Sequence, residues 1–287
     1  KLMGHLPGGL AVATQLACGI FGAICGSNTA TAATMGAIAL PEMEKYQYDT
    51  SLATASIAAG GVLGVLIPPS VIFIVYGMAT EQSIGELFMA GIIPGILLML
   101  AYIATILFLT LRNPALGPAG PKASWKERAS SLRGGLFEVL VVFALSIGGL
   151  FAGWFTPTEA GAVGAAGVLA VSLLGKHLDW IGFKKSLYDT TRTTAMIMLM
   201  IAGAMIFGRF MAISRIPFEL ANWAGSLPLP PFAIVGVILL IYLVLGCFID
   251  ALALILLTIP IFYPVVVKTL GYDPIWFGVI VVMVVAM

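Results

Sequence analysis

Gly26-Ser27-Asn28-Thr29-Ala30-Thr31 interrupts residues 8–41, which are otherwise almost entirely apolar until Pro41. Gly, Ser, Asn and Thr favour turns because they supply unusual backbone angles or local side-chain hydrogen bonds. Residues 8–41 therefore read as two half-length helices joined by a tip, a re-entrant hairpin. A second interruption, Gly64-Val65-Leu66-Ile67-Pro68-Pro69-Ser70, divides the apolar residues 50–79. Consecutive prolines remove two backbone donors and clash with the preceding turn. That stretch reads as one crossing with an unwound midpoint.

The surrounding composition says what solvent these breaks sit in. Of 287 residues, 60% are hydrophobic and only 9% charged, where soluble domains carry roughly 25% charged residues. A soluble fold would leave too much apolar surface in water. The solvent is a lipid bilayer, in which a spanning helix needs ~20 mostly apolar residues. Apolar segments also fall at 87–111, 135–155, 157–175, 193–213, 231–249, 251–267 and 275–287. They are continuous, not alternating, which points to helices and away from a closed barrel. The polar connection 112–133 carries three prolines, then Trp125, Lys126, Glu127 and Arg128. It reads as a surface linker followed by an interfacial amphipathic helix. Opening on Lys1 and stopping at Met287 inside an apolar run too short to cross a bilayer, the chain is expected to lack sequence at both ends.

The net charge of +1 gives no field suited to nucleic acid. Cys18, Cys25 and Cys247 all sit in apolar runs, as small buried hydrophobes do, and none has metal-ligand spacing. His5 and His177 fall at expected membrane edges and suggest no proton relay. There is no Ser/His/Asp or Cys/His triad, no HExxH and no GxxxxGK[ST] motif, so the chain reads as a non-enzyme that does not hydrolyse ATP. Uphill transport would draw on an ion gradient or on another subunit.

The end of the chain repeats the pattern of its start. Gly246 corresponds to Gly26, Thr258-Ile259-Pro260 to Ala39-Leu40-Pro41, Tyr272-Asp273 to Tyr48-Asp49, and Leu227-Pro228 to Leu6-Pro7. Four matches in order, each at an offset of about 220 residues, argue for an internal duplication. Charge then sets the topology. If the first hairpin enters from the cytoplasm, that side holds Lys1, Lys45, Arg112, Lys122, Lys126, Arg128, Arg133, Lys176, Lys184, Lys185 and Arg192. The outside holds Arg209, Arg215 and Lys268. This is the asymmetry of the positive-inside rule, and it makes the second hairpin, 231–267, enter from the opposite face. The expected fold is an all-α polytopic membrane protein with an inverted repeat of re-entrant hairpins and broken helices. The first repeat is 1–111, with hairpin 8–41, broken helix 50–79 and helix 87–111. A connector with two scaffold helices follows at 112–189. The second repeat is 190–287, with helix 193–213, hairpin 231–267 and a truncated broken helix 275–287.

Three places carry candidate chemistry. A loop of amides and hydroxyls in hydrocarbon is costly unless it lines a wet or ion-filled site. Ser27, Asn28, Thr29 and Thr31 supply the oxygens a hard cation such as sodium prefers. The helix that starts after this tip aims N–H groups where a carboxylate would sit. The alternative is a polar turn at the membrane surface, or hydrogen bonding between helices. At the second break the carbonyls of residues 64–67 lack helical donors and suit a cation, with Gly64 and Ile67 as ion ligands and Pro68, Pro69 and Ser70 beside the substrate. The alternative is a plain proline kink. Asp250 lies between two apolar runs, and an acid inside a membrane is a functional candidate by default. It would bind sodium or carry a proton, with Gly246 beside it. The alternative is a helix cap or a tip near water. Thr156-Pro157-Thr158-Glu159 reads as a capping box, and residues 190–194 as a helix entry with Arg192 at the cytoplasmic interface.

Leu6-Pro7-Gly8-Gly9-Leu10, Phe21-Gly22-Ala23, Gly26-Ser27-Asn28-Thr29-Ala30-Thr31-Ala32, Pro41-Glu42-Met43, Ile67-Pro68-Pro69-Ser70, Leu87-Phe88 and Pro157-Thr158-Glu159-Ala160-Gly161-Ala162, with Asp250, together resemble the large, DctM-like membrane subunit of TRAP transporters, the tripartite ATP-independent periplasmic transporters. The resemblance implies an elevator-type carrier in the bacterial inner membrane, driven by sodium ions. It implies a small four-helix membrane partner and a periplasmic substrate-binding protein. The implied substrates are organic acids such as C4-dicarboxylates or sialic acid. By motif, Ser27, Asn28 and the backbone from Gly64 to Ile67 would form one sodium site, and Asp250 with the second tip part of another. Lacking the family's early helices and second proline break, this fragment is expected to have an incomplete second site and not to transport alone. A sodium/dicarboxylate symporter that works without a binding protein is the alternative.

Overall fold

The computed structural model describes residues 3–120, 136–176, 178–226 and 228–287. Its helices are α1 (Gly9–Cys25), α2 (Asn28–Lys45), α3 (Thr50–Leu66), α4 (Val71–Thr80), α5 (Ile84–Arg112), α6 (Leu136–Phe151), α7 (Pro157–Leu174), α8 (Trp180–Ser214), α9 (Ile216–Ser226), α10 (Pro231–Gly246), α11 (Ala251–Tyr263) and α12 (Pro274–Ala286). A 3-10 turn, Pro114–Leu116, follows α5, and a π-helical turn, Pro264–Thr269, continues α11. No strand occurs among the described residues. By length and composition α5, α7, α8 and Ala251–Thr269 are long and apolar enough to cross a membrane, and α3 with α4 qualifies as one broken span. Among the described residues the protein is all-helical, with several helices fit to cross a membrane. The linker helix expected around 125–128, together with His177 and Leu227, lies outside the described residues.

Helix starts are set by short polar side chains that accept otherwise orphaned backbone N–H groups. Asp49 Oδ1 accepts from the N–H of Ser51 at 2.9 Å and of Leu52 at 3.3 Å, opening α3. Asp273 Oδ1 accepts from Trp276 N–H at 2.8 Å, opening α12, with Pro274 at the first helical position. The capping box before α7 forms as expected: Glu159 Oε2 accepts from Thr156 N–H at 2.8 Å and Thr156 Oγ1 accepts from Glu159 N–H at 3.3 Å.

The structure corrects the helix entry expected at 190–194. Those residues lie inside one helix that starts at Trp180, where Asp179 Oδ1 accepts from Gly182 N–H at 2.7 Å. The segment boundary at 189/190 therefore falls within α8, and the helix expected over 193–213 runs from Trp180 to Ser214. The threonine run does not stop the helix because threonine can bond its own preceding turn, as Thr191 does to the Leu187 carbonyl at 2.8 Å. A further helix, α9, occupies residues that no apolar segment had marked.

By compactness the chain divides into two units, residues 1–71 with 88–164, and residues 72–87 with 165–287. In the first, α1 and α2 pack on α3. Ala11, Val12, Ala39, Met43, Leu52, Ala53, Ile57 and Ile106 form a buried cluster under the base of the hairpin. Tyr48 closes it, accepting from Leu10 N–H at 3.0 Å, and burial pushes its phenol above the usual range. Backbone bonds Gly8 N–H to Gly117 O at 2.8 Å and Asp49 N–H to Leu116 O at 3.0 Å tie the 3-10 turn to that base. In the second unit, α10 and α11 form a hairpin around fully buried Tyr242, whose hydroxyl meets that of Thr258 at 2.7 Å. Tyr76 of α4 donates to the Pro274 carbonyl at 2.7 Å, fixing α12. The surfaces left are apolar, with Leu174 and Phe248 each 85% exposed, as lipid-facing surfaces are.

Candidate functional site

The first hairpin tip is short because its two ends are closed locally. Gly26, at φ 64°, adopts the left-handed conformation that ends α1, and its N–H returns to Gly22 O at 2.8 Å. Ser27 caps α2: its Oγ accepts from Ala30 N–H at 3.4 Å, and its carbonyl accepts from Thr31 Oγ1 at 2.7 Å. Asn28 Oδ1 accepts from Thr29 N–H at 2.8 Å, and the Ser27 and Thr29 hydroxyls lie 3.2 Å apart. Thr31 is fully buried, Ser27 and Asn28 half-buried, and Thr29 exposed.

The second break lies directly against this tip. Helix α3 ends at Leu66, Ile67 turns to an extended conformation, and α4 restarts at Val71. In a continuous helix Gly64 O and Val65 O would accept from residues 68 and 69, but both are prolines without an N–H. Val71 N–H donates to Gly26 O at 3.3 Å, joining the two interruptions. The Pro68-Pro69 peptide bond is cis. Glycines make the approach possible. A methyl on Gly22 would fall 2.5 Å from Gly64 Cα. One on Gly64 would fall 2.5 Å from Thr31 Oγ1 and 2.8 Å from Ser27 O, and one on Gly26 would fall 2.7 Å from Pro69 O.

Ser27, Thr31, Gly64, Pro69 and Ser70 thus meet at one spot of the first unit, with Asn28 and Thr29 in the same tip and Pro68 in the same break, while the Ile67 side chain faces Gly19 and Gly95 instead. The spot holds hydroxyl, amide and carbonyl oxygens, two of the carbonyls lacking helical donors, at the N-terminus of α2. One contributor escaped the sequence reading: Gly22, the point of closest approach to Gly64. It lies one turn after Cys18, which faces Gly60 of the same helix α3, and that helical spacing was the available signal.

Gly246 and Asp250 belong to the second unit. Gly246 ends α10 beside the Val285 carbonyl. Asp250 is exposed and caps α11, its Oδ1 accepting from Leu252 N–H at 3.0 Å and Ala253 N–H at 3.4 Å. The capping alternative weighed for Asp250 is therefore what its carboxylate does here. Among the described residues no group of three or more His, Cys, Asp or Glu side chains is placed to hold a metal ion.

A family model described as "Tripartite ATP-independent periplasmic transporter, DctM component" matches residues 1–287. The chain is 38% identical over 281 residues to the C4-dicarboxylate TRAP transporter large permease protein DctM of Pseudomonas aeruginosa, covering 98% of this chain and 65% of that protein. It is 35% identical over 284 residues to the sialic acid TRAP transporter large permease protein SiaM of Vibrio cholerae, covering 99% and 66%. It is 34% identical over 297 residues to the ectoine/5-hydroxyectoine TRAP transporter large permease protein UehC of Ruegeria pomeroyi, again covering 99% and 66%. The chain spans about two thirds of the length of these relatives.

Proposed function

We propose, from the premise that this chain belongs to the DctM family of tripartite ATP-independent periplasmic transporters, that it is the translocating part of a sodium-coupled importer of organic acids in the bacterial inner membrane. The observation that carries the reading is the junction of the two breaks, where the Ser27 carbonyl and the Thr31 hydroxyl come against Gly64, at the end of α3 whose Gly64 and Val65 carbonyls lose their helical donors to Pro68 and Pro69. A hard cation takes about six oxygen ligands, and a site of neutral oxygens suits a monovalent ion that must later leave. The α2 N-terminus beside it favours the carboxylate of the substrate. The relatives' names give the substrate class: C4-dicarboxylates, sialic acid and ectoine.

The element order supports an inverted repeat moved as an elevator. Both units run helix, break, capped helix with an internal proline (Pro41 or Pro260), then Tyr-Asp, with the Asp capping the next helix. In this reading Asp250 adds a charge at the second tip, and a small four-helix membrane subunit and a periplasmic binding protein complete the machine. The family match weighs against the symporter that needs no binding protein.

Asn caps helices as well as Asp does, so Asp250→Asn removes the charge and keeps the cap. In the full-length complex uptake is expected to fall at least about tenfold for Asp250→Asn with little change in thermal stability, whereas Asp250→Ala also loses about 1 kcal/mol of capping. Wild-type uptake by the Asn variant would leave Asp250 with the cap alone. Uptake into proteoliposomes should also require the periplasmic binding protein, and equal uptake without it would instead support the symporter.

A further inference from the structure

The second unit holds a cavity of about 670 Å³ lined by α4, α8, α11 and the π-helical turn. Its buried lining is apolar, with Val75, Leu256 and Ile259 on the walls and the half-buried Ala204 beside them. One end is polar, with Thr80, Glu81, Tyr263 and Lys268. Gln82 Nε2 donates to Tyr263 OH at 3.2 Å, which holds the end of α4 beside the end of α11. Glu81 and Lys268, each close in sequence to that contact, therefore sit at the same end, and both are exposed. From there to Val75 and Leu256 is about two helical turns, roughly 10 Å. Two side chains on the rim, Met78 and Met205, are 57% and 71% exposed, so the groove opens outward through apolar residues. A methyl on Gly208 would meet the Pro260 ring at 3.7 Å, an ordinary contact, so the glycine leaves that stretch of the cavity wall between α8 and α11 without a side chain. The π-helical turn, a form enriched at functional sites, carries Lys268 out over the polar end.

We propose that this cavity is a binding site for one phosphatidylethanolamine-type lipid, with an acyl chain in the apolar groove, the phosphate on Lys268 and the ammonium on Glu81. The apolar length covers about the first half of an acyl chain, whose far end leaves past the exposed Met78 and Met205. The pairing of one cation with one anion at its mouth matches a zwitterionic headgroup whose ammonium still has N–H donors. An anionic headgroup would face Glu81, and a choline headgroup would offer that carboxylate no hydrogen bond. The site lies wholly in the second unit and does not involve the break junction, so it stands apart from the transport reading.

The test is lipid retention by the purified full-length permease after exchange into an equimolar mixture of palmitoyl-oleoyl phosphatidylethanolamine, phosphatidylglycerol and phosphatidylcholine, read by native mass spectrometry. The ethanolamine lipid is expected to be retained about three- to fivefold over each of the others, the scale of one partly exposed ion pair. Lys268→Gln should lose most retention of every phospholipid, Glu81→Gln should erase the ethanolamine preference, and Ala204→Phe should lower occupancy by filling the groove. Equal retention of all three headgroups, preference for phosphatidylglycerol, or no retained lipid would each overturn the proposal. So would a preference that persists in Lys268→Gln and Ala204→Phe. Competition on the wild-type protein alone decides the headgroup claim if a variant fails to fold.

Discussion

Gly64→Val is expected to cut substrate uptake by the full-length complex at least about tenfold, while Gly36→Ala in the same hairpin leaves it near wild type. The two positions differ in what stands opposite. A methyl on Gly36 meets only Ile57 Cγ2 at 3.9 Å, an ordinary contact. A methyl on Gly64 overlaps Thr31 Oγ1 and Ser27 O, so a valine pushes the capped start of α2 away from α3. Overpacking of this kind costs about 1–3 kcal/mol, and here the displaced atoms are the oxygens assigned to the cation. Gly64→Ala should fall between the two. Uptake, protein yield and melting temperature measured together separate a lost site from a lost fold. Normal uptake in Gly64→Val would show that the contact between tip and break is not needed for transport.

The second large effect leaves stability nearly unchanged. Replacing both Pro68 and Pro69 by Ala supplies N–H groups to Gly64 O and Val65 O and removes the rings that keep the span broken. Both prolines stand between α3 and α4, not inside a helix, so the ~3 kcal/mol cost of an intrahelical proline is not there to recover, and the melting temperature of the double variant should stay close to that of the wild type. Its transport should nevertheless fall about tenfold or more, with the sodium concentration for half-maximal uptake shifted upward, because the carbonyls now serve the helix. A stable variant with unchanged sodium dependence would mean that those carbonyls take no part in holding the ion.

Both variants target features that could be read from the sequence, and the reason is physical. Within a bilayer-compatible chain, Gly-Ser-Asn-Thr and Pro-Pro are local instructions whose effect on the backbone does not depend on distant packing. The breaks between α1 and α2 and between α3 and α4 therefore stand where the residue types place them. What the sequence hid were effects decided by neighbours. Thr190, Thr191, Thr193 and Thr194 look like a helix entry, yet the capped start lies upstream at Asp179 and Trp180, and the run sits inside α8, with Thr191 bonded back to Leu187. Helix α9 is short and mixed in polarity, so no apolar run announced it. Asp250 is expensive in hydrocarbon by the usual accounting, and the structure shows an exposed carboxylate satisfied by two backbone N–H groups. The meeting of Gly22 with Gly64 needs the register of α1 on α3, which no single-helix pattern contains.

The most direct test of the proposed cation site at the break junction is uptake of a labelled organic acid into proteoliposomes holding the full-length complex and its binding protein, with an inward sodium gradient in one arm and choline replacing sodium in the other. Uptake should collapse in choline and return with sodium, saturating as sodium rises. Equal uptake in the two arms would contradict the account, leaving the oxygens of Ser27, Asn28, Thr31, Gly64 and Val65 as structure without a sodium ion to hold.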